Sequence, residues 1–232
     1  LPEPDYKTKQ RYILDDDYYQ QIKSTAHQAG WSEELIRDLA RDIALINPMA
    51  MPFPSISPYN QGHSFTLEGS SYTALHVPGH SDGHCVFYSS DSRILFSGDN
   101  VIGHSILHIS DWPHTSLDDH FTSHLQSLKT IAALEVNTVI PGHGECFSNL
   151  TERVDIILSH HHKRKAVTLD KLNEPCTAWE LAWKIYPKND YIHIKRLVLA
   201  ETLVYCNALL KEGSISLRNE AGRNIYERIV LP

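Results

Sequence analysis

Three short turns constrain this chain more than any other feature. They are His76-Val77-Pro78-Gly79-His80-Ser81-Asp82-Gly83-His84, Phe96-Ser97-Gly98-Asp99-Asn100 and Pro141-Gly142-His143-Gly144. Each closes an apolar, strand-like run, and each sets an imidazole or carboxylate (His80, Asp99 or His143) next to glycine. Strands hold loops rigidly at their ends, and glycine lets the backbone turn sharply there. A sheet that gathers the three turns along one edge is the fold this pattern demands.

The rest of the chain supports such a sheet. SFTLEG and SYTALHVP read as a hairpin about a Gly-Ser turn, and HCVFYSS and RILFSGD as a second about Asp91-Ser92. Leu117, Phe121, Leu125, Leu128, Ile131 and Leu134 share one face of a helix over 117–134, and VNTVIPGHG is a short strand ending in the third turn. Asn149 and Glu152 resemble a capping box that opens a helix reaching about Lys171.

Residues 1–60 read as a helical lid or insertion. One helix follows Asp15-Asp16-Asp17 and stops at Gly30; a second is capped by Ser32; the proline-rich stretch 47–58 breaks the pattern. Residues 61–171 form the sheet-bearing domain. Residues 172–232 read as helix, helix, hairpin, the order of a winged-helix-like module. There Thr177 and Glu180 cap the first helix, Gly213 ends the second, and Glu220-Ala221-Gly222 turns the hairpin. Trp179 and Trp183, one helical turn apart, are expected in a core.

Composition narrows the function classes. The chain has 232 residues, enough for one large domain or two small ones. A net charge of −7 gives no electrostatic case for nucleic-acid binding, and the long C-terminal helix lacks the basic stripe of a DNA reader. No apolar run has the length of a membrane span, and the four scattered cysteines suit reduced thiols in a cytoplasmic protein. Fifteen histidines raise the expectation of a metal site.

Neutral imidazole and carboxylate are the ligands of zinc and similar ions. Singly, each turn has a plain structural reading; a buried histidine is more often a packed core or loop residue. Jointly the three resemble the metallo-β-lactamase superfamily, and most of all its glyoxalase-II-like and β-lactamase-like hydrolases with a C-terminal winged-helix domain. The resemblance runs from about Ser64 to the C-terminus. It implies that His80 binds a first metal, Asp99 bridges, and His143 binds a second. It makes His84 a structural residue of the loop, and likens His160 and Arg164 to a helix element that follows the third turn.

The family's H-x-H-x-D-H motif, which supplies further ligands and the general base, does not occur in this sequence; Asp118-Asp119-His120 is the nearest string. The expectation is therefore a piece of a longer protein, with a natural half-domain as the alternative, and the catalytic base is unassigned. A lone half would leave one apolar sheet face uncovered.

The implied fold is α/β: the C-terminal half of an αββα sandwich, with the helical insertion before it and the winged-helix-like domain after it. The implied function is metal-dependent hydrolysis by a metal-bound hydroxide. Two zinc ions are expected, with iron or manganese as alternatives, and a small-molecule thioester leads esters and phosphodiesters as substrate. A ribonuclease of the same fold and a non-catalytic interaction module are the competing readings. His104 and His108, just after Asp99, are candidates to line the pocket or a substrate path, and His160 and Arg164 are candidate substrate contacts; the bland reading is loop histidines and a solvated helix end.

Overall fold

In the computed structural model the chain is described over residues 16–46, 61–113 and 117–230. The proline-rich stretch 47–58 lies outside the described residues. The chain divides into two compact units. One is built mainly from residues 56–109 and 116–162, the other from 8–55, 110–115 and 163–232.

The first unit carries a five-stranded sheet: β1 (Ser64–Leu67), β2 (Ser70–His76), β3 (Cys85–Ser89), β4 (Ile94–Gly98) and β5 (Thr138–Pro141), in that spatial order. Both predicted hairpins are present. The first turns on Glu68 and Gly69, at φ 50° and 79°, one residue before the Gly-Ser pair the sequence suggested. Two successive positive φ values give the turn a twist that matches right-twisted strands. β1 to β4 are antiparallel neighbours, whereas β5 runs parallel to β4 after helix α3 (His120–Ala132).

This topology delivers all three turns to one edge. β2, β4 and β5 point the same way, with β3 running back between the first two. Their C-terminal ends are Val77–His84, Asp99 and Gly142–His143. A register shift between Phe96 and Gly98 pairs Gly98 with Pro141, and Gly142 N–H donates to the Gly98 carbonyl at 2.8 Å. Asp99 and His143 are thereby set on adjacent strand ends.

α3 starts later than its hydrophobic periodicity implied. Asp119 accepts a hydrogen bond from Thr122 N–H at 2.9 Å, so it caps the helix at His120. A fourth helix of the chain, Leu150–Lys171, starts after Asn149 as expected, but the bond seen there runs between side chains, Asn149 Nδ2 donating to Glu152 at 3.1 Å, in place of the side-chain-to-backbone bonds of a capping box. On the inner sheet face Val86, Leu95 and Val139 pack with Leu128 and Ile131 of α3 and Val154 and Ile157 of the Leu150–Lys171 helix.

The opposite sheet face is apolar as well. Phe65 stacks on Tyr72 at 5.6 Å between centroids and meets Phe87 edge-on at 5.3 Å, while Tyr72 lies 5.2 Å from Phe96. Phe65, Leu67, Phe87, Phe96 and Ile140 line a cavity of about 350 Å³ that reaches Gly98 and Gly142. A strand such as Ile94-Leu95-Phe96, apolar on both sides, has the composition of a sheet buried on both faces.

In the second unit, helices α1 (Asp16–Gln28) and α2 (Glu33–Ile46) share a core with the C-terminal segment: Ile22, Trp31 and Leu39 pack with Leu181, Leu199 and Tyr226. Leu35 N–H donates to Ser32 Oγ, the expected cap of α2. The helix Ala178–Ile185 has the full Thr177–Glu180 capping box, and the Thr177 backbone bond holds the Glu180 carboxyl below the usual range. A 20-residue helix, Ile192–Lys211, follows, then the hairpin Ile215–Glu220/Arg223–Arg228, which pairs with the short strand Cys176–Thr177. Trp179 and Trp183 meet edge to face at 4.6 Å. Cys85, Cys146, Cys176 and Cys206 are all free thiols. No helix among the described residues is long and apolar enough to cross a membrane.

Candidate metal centre

Three ligand-type side chains meet at the sheet edge. His80 Nε2 lies 3.8 Å from Asp99 Oδ2, and His143 Nε2 lies 3.6 Å from the same oxygen. Two donors on one ion, each about 2.0–2.2 Å from it, stand roughly 3–3.6 Å apart. Both distances are near that range.

The other carboxylate oxygen, Asp99 Oδ1, is buried with no hydrogen-bond donor, and His80 Nδ1 is likewise buried without a partner. A buried, unpaired carboxylate oxygen is costly unless something positive completes it. The donor chemistry and the orphaned oxygen therefore fit a divalent metal. Among the described residues, no group of three or more His, Cys, Asp or Glu side chains is arranged to hold a metal ion. His80 and His143 each approach Asp99 Oδ2, and these pairwise approaches are the geometry the chain itself provides.

The turns are fixed from behind. Val77 N–H donates to the His84 carbonyl, closing the 77–84 loop, and His76 Nε2 bonds the Asp82 carbonyl at 2.7 Å. Asn100 Nδ2 donates to the Val77 carbonyl and Ser127 Oγ to the Pro78 carbonyl, both at 2.7 Å. Gly79 is required here: its φ is +154°, and a Cβ would lie 2.2 Å from His124 Nδ1.

His84 bonds the backbone of the Asp99 turn. Asp99 N–H donates to His84 Nε2 at 3.3 Å, which requires Nε2 to be unprotonated. Burial, reinforced by His80, holds the His84 imidazole at a pKa of about 4, with Asp99 pulling weakly the other way. His124, 3% exposed, is also held at about 4 by burial, His80 and His84. With such lowered pKa values these histidines are neutral at physiological pH, so they add no positive charge beside His80 and Asp99.

The sign of these shifts makes stability depend on pH. Each folded pKa lies below the ordinary value of 6.5. The unfolded chain therefore binds protons that the folded chain refuses. Their contribution is whole above pH 6.5 and is lost as pH falls through about 4, by up to roughly 3 kcal/mol for His124. Urea midpoints of the metal-free protein should fall from pH 7 to pH 4.5, and His124→Gln should flatten the fall. Equal slopes for parent and variant would refute it.

The remaining sequence-derived candidates are dispersed. His104 is exposed and lies over the third turn, where a Cβ on Gly144 would meet its Cε1 at 2.6 Å. His108 has its ring 6.0 Å from that of His80. His160 is half-buried, edge-on to the fully buried His161 at 5.4 Å. Arg164 belongs to the second unit, its guanidinium 4.6 Å over the Tyr186 ring, where it makes a cation–π contact. In the same unit Tyr186 donates to the buried Glu201 at 2.6 Å.

Asn100 stands in the second turn without a predicted role, and His124, Ser127 and Arg153, also buried around the turns, lie outside the sequence motifs. A signal existed for two of the latter three. His124 and Ser127 interrupt the apolar face of α3 formed by Phe121, Leu125, Leu128 and Ile131.

Comparison with known proteins identifies the family of the chain. The family model described as metallo-beta-lactamase superfamily matches residues 10–143. The lactamase-like protein notP of Aspergillus sp. is 31% identical over 124 residues, 52% of this chain and 35% of that protein. An atrochrysone carboxyl ACP thioesterase of Emericella nidulans is 28% identical over 120 residues, 50% of this chain and 36% of that protein. The chain thus matches little more than a third of the length of these relatives. The crystal structure of a metallo-beta-lactamase family protein from Thermus thermophilus superposes with a TM-score of 0.83 at 23% identity, covering 99% of this chain and 71% of that one. That likeness shows the α/β fold. With a family match across 58% of its residues (134 of 232), this chain belongs to the metallo-beta-lactamase superfamily.

Proposed function

We propose that the protein containing this chain is a metal-dependent hydrolase, and that His80, Asp99 and His143 supply part of its metal centre. The supporting observation is the convergence of His80 and His143 on one Asp99 oxygen at 3.8 and 3.6 Å. Zinc is the leading metal, with two ions per complete site, and iron and manganese suit the same donors. A divalent metal would supply Lewis-acid polarisation of a carbonyl and a more acidic water.

The chain's own residues do the holding. Asp99 presents one carboxylate to both imidazoles. His84 accepts the Asp99 backbone N–H and fixes the turn, and the exposed His143 leaves the centre open on one side. In this proposal residues 1–60 are a helical insertion, 61–171 the hydrolase part and 172–232 a winged-helix-like module.

A thioester is the favoured substrate class, because proteins named as acyl-carrier-protein thioesterases are among the relatives. Acyl-thioester hydrolysis by the full protein, followed with a thiol reagent, should be abolished by a chelator and restored by added zinc. Chelator-resistant hydrolysis would remove the metal from the account, and cleavage of RNA in place of thioesters would replace the substrate class.

A further inference from the structure

Arg153 stands out among the charged residues of the first unit. It is 7% exposed, and among the described residues it has no carboxylate partner. It sits in the first turn of its helix, where the positive end of the helix dipole disfavours a cation. Burial alone should favour a neutral residue here. Both costs are offset by two charge-assisted hydrogen bonds: Arg153 Nε donates to the Ile102 carbonyl at 2.7 Å and Nη2 to the Ser105 carbonyl at 2.6 Å.

Those carbonyls belong to the loop that leaves Asp99. The loop is anchored at its start by Ser97 Oγ, which donates to the Val101 carbonyl at 2.6 Å. It then carries His104 over the Gly144 turn and His108 beside His80. We infer that Arg153 is a positioning residue: by gripping Ile102 and Ser105 it fixes the 101–109 loop as a wall of the site and holds His104 and His108 against the His143 and His80 turns. A guanidinium spans two carbonyls in fixed geometry, which an ammonium cannot do. The inference rests on the reading of His80, Asp99 and His143 as the site, but its test does not need metal or turnover.

The test compares Arg153→Met and Arg153→Lys with the parent in the full protein. At one fixed pH, the imidazole NMR signals are assigned through His104→Gln and His108→Gln. In Arg153→Met the His104 and His108 signals should leave their parental positions and broaden, while those of His27 and His193 stay. Arg153→Lys, keeping charge and one bond, should restore them only in part. In the active protein kcat/KM should fall roughly 10–100-fold in Arg153→Met. Unmoved His104 and His108 signals would overturn the clamp.

If neither variant folds, the parent decides. Backbone order parameters of residues 102–108 should be about 0.85, the value of rigid backbone, and values below about 0.6 would overturn it. Lack of metal binding or hydrolysis in the parent would instead end the functional reading and leave the clamp standing.

Discussion

Replacing Asp99 with alanine is expected to weaken divalent-metal binding by about a hundredfold or more, and to remove hydrolysis with it. Complete four-ligand zinc sites bind with about 10–16 kcal/mol, so one ligand is worth on the order of 3 kcal/mol. Asp99 should exceed that share, because both His80 and His143 face its Oδ2. The metal-free variant should not be destabilised. Asp99 Oδ1 is buried without a donor, so its removal relieves an unsatisfied group. Competition against a chromophoric chelator measures the first effect and urea unfolding the second. A variant that keeps parental metal affinity would contradict the assignment. One that loses metal only because it unfolds would make Asp99 a folding residue.

The second large effect is expected from Gly142→Ala, which leaves every donor atom in place. A Cβ there would lie 2.4 Å from Asp99 Oδ1 and 3.1 Å from the Gly98 carbonyl carbon. The carboxylate must therefore move, and the Gly142–Gly98 bond that joins the ends of β4 and β5 must strain with it. Overpacking of this kind costs about 1–3 kcal/mol. The functional loss should be larger than that cost suggests, since ligand placement tolerates only about half an ångström of error. Metal affinity and kcat/KM should fall by at least tenfold in a protein that still unfolds cooperatively. Unchanged affinity would mean that the Asp99 carboxylate is not fixed by this contact.

Most elements of this fold were legible because they depend on local chemistry. Alternation and glycine turns gave the two hairpins, and capping residues gave the helix starts at Ser32, Asn149 and Thr177. Periodicity misjudged one boundary. Leu117 fits the apolar face of α3, but Asp119 captures the Thr122 N–H and starts the helix three residues later. The site was legible only in part. His80, Asp99 and His143 announce themselves through adjacent glycines. Their supports act across long sequence separations: Arg153 reaches Ile102, Ser127 reaches Pro78, and Asn100 reaches Val77. No window of sequence shows such a contact. Arg153 nonetheless left a trace, as a cation where the helix dipole favours an acid.

The two-sided apolar character of β4 has a parallel meaning. Leu95 is fully buried on the helix side, while Phe96 faces Tyr72 across the other. The chain matches only part of each relative's length, and among the described residues no group of three ligand-type side chains is arranged to hold a metal ion. The activity proposed here therefore belongs to the full protein.

The central claim is that His80, Asp99 and His143 share a metal centre. Anomalous diffraction from crystals of the zinc-loaded full protein tests it most directly. Zinc peaks are expected about 2.0–2.2 Å from Asp99 oxygen and from the Nε2 atoms of His80 and His143. Zinc bound elsewhere, or these three side chains turned away from it, would contradict the claim.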